Sequence, residues 1–220
     1  MKKYFEVLRQ CALFQDMEES ELTGLLSCLG AKISAVFKDQ AIFTEGDPAQ
    51  YMGIVLSGSA QVVRDDYYGT RSIVAVIETS QLFAETFACA GIKAIPVSVI
   101  AVCDSEIMLM DCRRILTMCS SACAFHTRLI NNLLRVVANK NLLLNQKLEF
   151  TSKRTTREKL MAYLLAQAKK AENNEFLIPY NRQALADYLE VERSAMSAEI
   201  SKLCKDGVID TKRNWFKILS

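Results

Sequence analysis

The residues best suited to chemistry in this chain are basic or hydroxyl-bearing, and they lie together near the C-terminus. Arg193, Ser194, Ser197 and Lys202 fall on one side of a segment that is predicted to be a helix. An arginine can donate two hydrogen bonds to O6 and N7 of one guanine, and serine hydroxyls can reach base edges or phosphates. The opposite side carries apolar residues at helical spacing: Met196, Ile200 and Leu203. The segment is therefore predicted to be buried on one face and to recognise nucleic acid with the other.

A second predicted helix precedes this segment and would hold it in place. Leu185, Ala186 and Leu189 put apolar or small groups on one face of that helix, and Val191 fills the short turn that follows. Asn181 can cap the start of the helix. Two short helices joined by a tight turn form a helix-turn-helix, whose second helix lies in the major groove of DNA.

Beyond Gly207 the pattern VID…WFKIL predicts two β-strands around a turn at residues 212–214, which would form a wing. Lys212 and Arg213 on this wing suit contacts with DNA phosphates, and so does Arg182 at the start of the first helix. The alternative for each of these three residues is a solvated surface charge.

The composition is that of a folded protein, because half of the 220 residues are hydrophobic and only three are proline. Residues 1–150 carry 14 basic and 16 acidic side chains, whereas residues 151–220 carry 13 and 9, a net charge of +4. A positive C-terminal part favours attraction to phosphates. The N-terminus lacks the apolar core of a secretory signal, and no apolar run has the length of a membrane span. We therefore expect a cytoplasmic protein with no membrane partner.

The middle of the chain has the pattern of a small β-domain, preceded by a predicted capped helix over residues 16–30. Within this β-domain, short apolar, β-branched stretches are separated by glycine-containing turn sequences. These stretches are AIF (41–43), MGIVL (52–56), AQVV (60–63), SIVAVI (72–77), VSVIAV (97–102) and EIMLM (106–110). Strands at this spacing predict a jelly-roll.

A long helix is predicted from about residue 111 to residue 150, since residues 125–150 contain neither glycine nor proline. Two apolar ridges follow it at steps of seven: Leu129, Val136, Leu143 and Phe150, and beside them Ile130, Val137 and Leu144. One ridge can pack on the chain's own domain and the other on a partner helix. We assign the first ridge to dimerisation; the alternative is one buried helix of a monomer.

In this order the segments resemble the Crp/Fnr family of bacterial transcription regulators over essentially the whole chain. IFTEGDPAQYMGIVLSGSAQV is similar to the family's β-roll signature, with turn glycines at Gly46 and Gly58, and LFAET (82–86) is similar to its phosphate-binding cassette. RQALADYL and VERSAMSAEISKLCKDGVI resemble its DNA-binding signature. The resemblance implies an α+β fold. Its parts would be a double-stranded β-helix (jelly-roll) sensor domain (1–115), a long dimerisation helix (116–150) and a winged helix-turn-helix (151–220).

The resemblance gives Arg193 the role of contacting a guanine. The best-known cyclic-AMP-responsive members have a glutamate and a second arginine where this chain has Ser194 and Ala198, so a different operator is expected. Glu199 stands where a helix-turn-helix prefers an apolar residue, and Glu190 replaces the usual turn glycine.

The sensor domain departs from the cyclic-nucleotide-binding members of the family. Glu85 is retained, but Ala84 replaces the cassette glycine, and no arginine for the cyclic phosphate is present around Ile95 and Pro96. A buried phosphate without a cation is strongly disfavoured, so we expect an effector other than cyclic AMP, with Lys93 as the alternative cation. The predicted effector pocket comprises Phe83, Glu85, Val97, Ser98, Arg128, Asn131 and Asn132. Asn132 and Asn139 could instead set helix pairing.

The eight cysteines form no CxxC pair, so we expect reduced thiols that serve as small hydrophobic residues. A redox or metal sensor is the rival hypothesis. Cys112, Cys119 and Cys123 lie near the start of the long helix, and the last two could bind a metal with His126, the only histidine. Ordinary helix packing is favoured for this group. We therefore predict no metal and no cofactor apart from an unidentified small-molecule effector.

These patterns together predict a homodimeric, effector-gated regulator that binds double-stranded DNA at a palindromic operator and acts with RNA polymerase. One alternative is a constitutive DNA-binding protein with an inert sensor domain, and another is a thiol- or metal-based sensor of the same family. An enzyme is disfavoured, because the sequence contains no recognisable set of nucleophile, base and orienting residue.

Overall fold

The computed structural model describes residues 2–65, 67, 71–117 and 124–219. The chain forms two compact units, Met1–Ala138 and Asn139–Ser220, and the boundary between them falls within one long helix. The predicted α+β class, with a β-sheet sensor domain, a long helix and a C-terminal helix-turn-helix, is confirmed. The finer division at residues 115 and 150 stays a prediction.

The first unit opens with helices α1 (Phe5–Gln10) and α2 (Glu19–Cys28) and then forms a β-roll. Helix α2 begins with a capping box, in which the Glu21 side chain accepts the Glu18 amide at 2.9 Å. The strands of the roll, in chain order, are β1 (Lys32–Val36), β2 (Ala41–Phe43), β3 (Tyr51–Ser57), β4 (Ala60–Asp65), β5 (Arg71–Ile77), β6 (Leu82–Phe83), β7 (Ser98–Ala101) and β8 (Ser105–Asp111). Two short helices accompany them, α3 (Glu85–Ala90) after β6 and α4 (Cys112–Leu116) after β8.

The strands form two antiparallel four-stranded sheets, with the orders β1-β8-β3-β6 and β2-β7-β4-β5. Successive residues of a strand point to opposite faces, and β3 is buried on both. Val55 joins the core formed by residues of both sheets. Met52, Ile54 and Leu56 point the other way and pack in a second core with α2 and the start of the long helix.

Glycines determine two close approaches in the roll. Gly53 on β3 leaves room for the Phe83 ring, because a Cβ atom at this position would overlap that ring. Gly58 has φ +82, and a Cβ atom there would overlap the Ser105 hydroxyl. Gly46, the other glycine of the β-roll signature, has φ +95, so both predicted turn glycines adopt the conformation that favours glycine.

The long helix, α5, is Ala124–Thr151. The structure changes our assignment of its apolar ridges. Leu129 is fully buried in the first unit's core, and Phe150 is buried in the core of the second unit, so neither side chain is available to a partner chain. Of the other two residues of the predicted dimerisation ridge, Val136 is half-buried and Leu143 is exposed.

The second unit is a winged helix-turn-helix. Its elements are α6 (Thr156–Ala171), β9 (Glu175–Leu177), α7 (Arg182–Leu189), α8 (Arg193–Lys205), β10 (Ile209–Lys212) and β11 (Trp215–Ile218). The three strands form an antiparallel sheet in the order β10-β11-β9. Leu185, Met196 and Phe216 lie fully buried in one core that α6, α7, α8 and this sheet share. Asn181 caps α7, as predicted, by accepting the Ala184 amide at 2.9 Å.

Candidate nucleic-acid interface

Helix α8 has the two faces that its sequence predicts. Met196, Ile200 and Leu203 are buried against the rest of the unit. Arg193, Ser194 and Ser197 are exposed. The exposed face also contains Ala198, Ser201 and Lys205, which continue the same side of the helix at steps of three and four residues. Our prediction omitted Ser201 and Lys205, although the same helical spacing would have included them.

The turn between α7 and α8 is held by backbone geometry rather than by a glycine. Glu190 adopts φ 55 and ψ 54, the left-handed conformation in which glycine is usual. Its amide donates to carbonyls at the end of α7, and the Val191 amide donates to the Ala186 carbonyl at 3.0 Å. Lys159 on α6 reaches the Glu190 carbonyl at 3.3 Å, and Lys147 pairs with the Glu190 carboxylate at 3.4 Å. These contacts orient α8 relative to α7.

Three arginines from different elements line one concave surface beside the start of α8. Arg182 comes from the start of α7, Arg193 from the start of α8, and Arg213 from the turn of the β10–β11 hairpin. The surface encloses about 820 Å³ and is completed by Pro179, Tyr180, Asn181, Gln183 and Asn214. We call it the arginine groove. Arginines that converge in this way favour a phosphate or a base edge that accepts hydrogen bonds.

The three arginines of this groove are not equivalent. Arg193 and Arg213 are exposed. Arg182 is half-buried: its Nη2 donates to Thr211 Oγ1 at 2.9 Å, and its guanidinium lies 4.8 Å from the centroid of the Phe216 ring. Burial lowers the pKa of Arg182. Arg182 therefore joins α7 to the wing, and the phosphate contact that we predicted for it stays a prediction.

The hairpin after α8 is the predicted wing. Strands β10 and β11 pair from Ile209 with Ile218 to Lys212 with Trp215, which leaves Arg213 and Asn214 in the turn. Lys212 and Arg213 are exposed, and Arg213 has φ 57. A two-residue turn of this kind keeps the guanidinium of Arg213 at the tip of the wing.

Glu199 departs from the usual apolar residue because it belongs to an ion-pair network. Arg157 on α6 donates from one Nη1 to Glu199 Oε1 at 3.3 Å and to Asp206 Oδ2 at 3.1 Å. Lys202 lies 3.6 Å from the other oxygen of Glu199. The network ties α8 to α6, and it gives Lys202, which we predicted to contact DNA, a partner within its own helix.

In the first unit, four residues of the predicted effector pocket lie at or near the core of the roll. Phe83 and Val97 belong to the core between the sheets, where the Phe83 ring meets the Phe43 ring edge-on at 5.8 Å. Glu85 is buried, with its Oε1 3.3 Å from the Thr86 hydroxyl. Ser98 accepts the Glu45 amide through its hydroxyl at 3.0 Å.

The structure gives two other predicted pocket residues a different set of contacts. Arg128 donates to the Asp16 carbonyl at 2.7 Å and pairs with Glu21 at 3.0 Å. Asn132 is buried and donates to the carbonyls of Leu13 and Gln15. These side chains attach α5 to the N-terminal segment. Asn131 is exposed, as is Asn139.

Two positions in the cassette region, Ala84 and Ile95, depart from the residues that the resemblance expects. Ala84 has φ 60, so the backbone keeps the left-handed conformation for which the resemblance expects glycine. Ile95, near the expected arginine, is 1% exposed and belongs to the core between the sheets. Lys93, the alternative cation, is exposed. The residue near the position where the resemblance expects an arginine is therefore a buried aliphatic side chain.

The predicted metal alternative depends partly on Cys119 and Cys123, which lie outside the described residues. His126 is buried, and its Nε2 lies 2.7 Å from the Ile115 carbonyl, which indicates that this nitrogen donates to the backbone. Within the described residues no group of three or more His, Cys, Asp or Glu side chains could hold a metal ion.

Two family models match the chain, each in the unit that its geometry suggests. Residues 35–122 match the cyclic nucleotide-binding domain, and residues 158–220 match the Crp-like helix-turn-helix domain. No curated protein matches the chain. None of the helices in the described part of the chain is both long enough and apolar enough to cross a membrane.

Several solved structures share the fold. The catabolite activator protein of Thermus thermophilus is 21% identical, with a TM-score of 0.52 over 94% of this chain and 93% of that one. DNR from Pseudomonas aeruginosa is 22% identical, with a TM-score of 0.50 over 98% of this chain and 93% of that one. The c-di-GMP-responsive global regulator CLP of Xanthomonas campestris is 14% identical, with a TM-score of 0.57 over 92% and 100%.

Proposed function

The chain belongs to the Crp/Fnr family of DNA-binding transcription regulators, and we propose that it is a homodimer that recognises a specific DNA sequence through α8. The observation that carries this proposal is the arginine groove. It puts Arg193 beside the exposed serines of α8, and it puts Arg213 on the wing next to them. In the major groove, this arrangement lets Arg193 contact a guanine while the wing contacts phosphates.

Dimerisation is proposed through a face of α5 whose leucines are exposed, while Ile130 and Val137 on the same face are partly buried against the core of the first unit. Leu134, Leu144 and Leu148 are 67%, 62% and 63% exposed. They fall on one stripe, at alternating steps of three and four residues, with the remaining members Ile130, Val137 and Asn141. This spacing is that of a two-stranded coiled coil, and a single asparagine in such a stripe sets the register of the pair. Asn141 accepts a hydrogen bond from Asn145 at 2.8 Å.

A matched pair of variants tests the dimer. Leu144→Asp puts a charge on the stripe, whereas Leu142→Asp puts the same charge on another face at nearly the same exposure, 62% against 63%. We expect Leu144→Asp to shift the sedimentation coefficient to that of a monomer and Leu142→Asp to leave a dimer. Monomers in the unchanged protein, or dimers in both variants, would refute pairing through this stripe.

DNA recognition is tested by selection from random double-stranded oligonucleotides with the full chain. Because a twofold dimer presents two copies of α8, we expect an inverted repeat whose half-sites are about 10 base pairs apart. An operator of this symmetry, and action with RNA polymerase, are parts of the proposal that the family supports. Enrichment of no sequence, or of a single half-site, would contradict it. Lys169→Ala removes an exposed charge from the end of α6 and should select the same sequence.

We further propose that the β-roll binds an effector other than cyclic AMP, because Ile95 and Pro96 provide no cation for a cyclic phosphate. Cyclic AMP should therefore leave the thermal midpoint of the full chain unchanged, whereas a true effector raises it by an amount that increases with the logarithm of its concentration relative to its Kd. A midpoint that rises with cyclic AMP would contradict the proposal. If no metabolite in a broad panel raises it, a constitutive DNA-binding protein is favoured.

A further inference from the structure

Two cysteines far apart in sequence meet in the first unit. Cys89 lies in α3, the helix that follows the cassette, and Cys112 is the first residue of α4, directly after β8. Their sulfur atoms are 3.6 Å apart, and both thiols are free. A disulfide requires a sulfur–sulfur distance of about 2.0 Å, so a displacement of the order of 1.5 Å would join them.

The surroundings of the pair permit that displacement. The Cys112 amide donates to the Gln50 carbonyl at 3.0 Å, which attaches this residue to the neighbouring backbone. Helix α3 is only six residues long, and it is bounded by left-handed residues at both ends, Ala84 and Gly91. We expect a movement of α3 towards Cys112 to be taken up by backbone adjustment at these two ends.

The two thiols differ in access and acidity. Cys112 is 1% exposed, whereas Cys89 is only partly buried at the edge of the same apolar core. The hydrogen bond with Cys112 lowers the pKa of the Cys89 thiol. The same contact, together with burial, raises the pKa of Cys112. Because the thiolate is the reactive species, Cys89 is the thiol that an oxidant from solvent meets first.

We propose that Cys89 and Cys112 are a dithiol pair that hydrogen peroxide converts to a reversible disulfide. The Cys89 thiolate attacks one peroxide oxygen, the O–O bond breaks, and Cys89 becomes a sulfenic acid while the departing hydroxide takes up the thiol proton and leaves as water. The Cys112 thiol then attacks the sulfenic sulfur, the S–O bond breaks, and a second water leaves. Two thiols lose two electrons in total, and one peroxide is reduced to two waters.

Reduction follows by exchange with a small thiol. The thiolate of one small-thiol molecule attacks a sulfur of the Cys89–Cys112 bond and forms a mixed disulfide with the protein. A second small-thiol molecule attacks this mixed disulfide, which restores both cysteine thiols and releases the disulfide of the small thiol. The bond would tie α3, which carries Glu85, to the end of β8. The proposed site therefore restrains the cassette helix when it is oxidised, and it does so independently of whether the chain binds DNA.

Cys103 provides an internal comparison. It is exposed, and the hydroxyls of Ser59 and Ser105 lower the pKa of its thiol. Its sulfur lies 3.8 Å from the Ser59 hydroxyl and 3.9 Å from the Ser105 hydroxyl. Peroxide should therefore convert Cys103 to a sulfenic acid that a dimedone probe captures, while Cys89 passes on to a disulfide.

The test uses the full chain, reduced, freed of small thiols, and treated with one equivalent of hydrogen peroxide. Remaining thiols are alkylated before digestion. Trypsin leaves Cys89 in residues 72–93 and both Cys103 and Cys112 in residues 94–113, so a second cleavage after Glu106 is needed to separate the last two. We expect one linked pair of peptides that contains Cys89 and Cys112, is two hydrogens lighter than the sum of the free peptides, and is lost on treatment with dithiothreitol.

Variants distinguish this pair from general oxidation. Cys89→Ser should leave Cys112 unlinked and open to later alkylation in denaturant, whereas Cys28→Ser, at an exposed cysteine of the same unit, should leave the link unchanged. The proposal is overturned if Cys89 in the unchanged protein links to another cysteine. It is also overturned if both thiols stay reduced when Cys103 is fully oxidised, or if a bound metal ion holds them.

Discussion

The two units differ in the exposure of the residues at their candidate functional positions. In the C-terminal unit, Arg193 and Arg213 are exposed beside each other in the arginine groove. In the first unit, Phe83, Glu85 and Ile95 of the cassette region are at most 2% exposed. The C-terminal unit exposes charged side chains that a partner can contact, whereas the first unit buries its cassette region in a largely apolar core.

This difference shows how a family scaffold can keep one surface and rebuild another. Turn glycines and buried apolar strands determine the roll, and they are present at Gly46, Gly58 and along β3. The chemistry depends on a few side chains that the scaffold tolerates in several forms. On our proposal, the sensor lacks a phosphate cation around Ile95, whereas the DNA-binding surface has an arginine at 193.

The largest expected effect concerns the closed core of the sensor. Gly53→Ala would push a methyl group into the Phe83 ring, which packs between the two sheets with Phe43. Overpacking of this kind costs about 1–3 kcal/mol, and we expect the upper end because the ring is surrounded by core residues. Denaturant unfolding of the full chain, monitored with a probe in the first unit, measures this loss of stability.

Gly24→Ala is the control for that variant. Gly24 lies within α2, and a Cβ atom there would meet nothing within 4 Å. Alanine in a helix interior is more stable than glycine by about 0.5–1 kcal/mol, so this substitution should stabilise the unit. If Gly53→Ala proved as harmless as Gly24→Ala, the Phe83 region would be loosely packed and the contrast between the units would weaken.

The sequence predicted most of the elements that present the site, and its failures have physical causes. The apolar stretches and glycine turns located β2 to β5, β7 and β8, because each of these strands contains a run of apolar residues, although six of the seven residues of β5 are exposed. Strand β1 was missed because Lys32 and Ser34 interrupt its apolar residues, and it is recognised only by its pairing with β8. The helix-turn-helix was found because helical spacing within a short segment specifies it.

Contacts between distant residues could not be predicted in the same way. Arg157 and Glu199 are 42 residues apart, and Arg128 and Asp16 are 112 apart. No local pattern marks such pairs, so Glu199 looked anomalous and Arg128 looked free for a ligand. The two ridges of α5 could not be distinguished for a related reason, since both have the same spacing and only the folded cores show that Leu129 and Phe150 are buried.

The second prediction tests the exposed half of the comparison. Arg193→Ala should weaken binding to the selected operator by about 1–3 kcal/mol, because one bidentate guanine contact is lost. Binding to random DNA should change little, and the dependence of the operator affinity on salt should stay close to that of the unchanged protein. Fluorescence anisotropy titrations at several salt concentrations measure both quantities.

Arg213→Ala sharpens this test within the same groove. As a phosphate contact on the wing, Arg213 should affect operator and random DNA alike, and its loss should reduce the salt dependence by about one ion. Lys169→Ala, outside the groove, should change neither affinity. Equal losses on both DNAs for Arg193→Ala would instead make Arg193 a phosphate contact.

The third prediction concerns the ion pairs that orient α8. Arg157→Ala leaves Glu199, whose side chain is 16% exposed, without its partner on α6, and we expect a measurable loss of stability. Lys202, the other partner of Glu199, is 68% exposed, so Lys202→Ala should change stability by much less. Unfolding of the C-terminal unit measures both. Identical values would mean that the network does not hold α8 on α6.

The smallest expected effects compare the two units at the same backbone feature. Ala84 before α3 and Glu190 after α7 both adopt φ near 60, where the resemblance expects glycine. A left-handed non-glycine residue is strained by about 1–2 kcal/mol, part of which the greater freedom of glycine in the unfolded chain offsets.

Ala84→Gly should therefore stabilise the first unit by about 0.5–1 kcal/mol. Glu190→Gly should gain less, because it also removes the carboxylate that pairs with Lys147 at 3.4 Å. Thermal unfolding of both variants tests the order, and a greater gain at Glu190 would show that this ion pair contributes nothing to the turn.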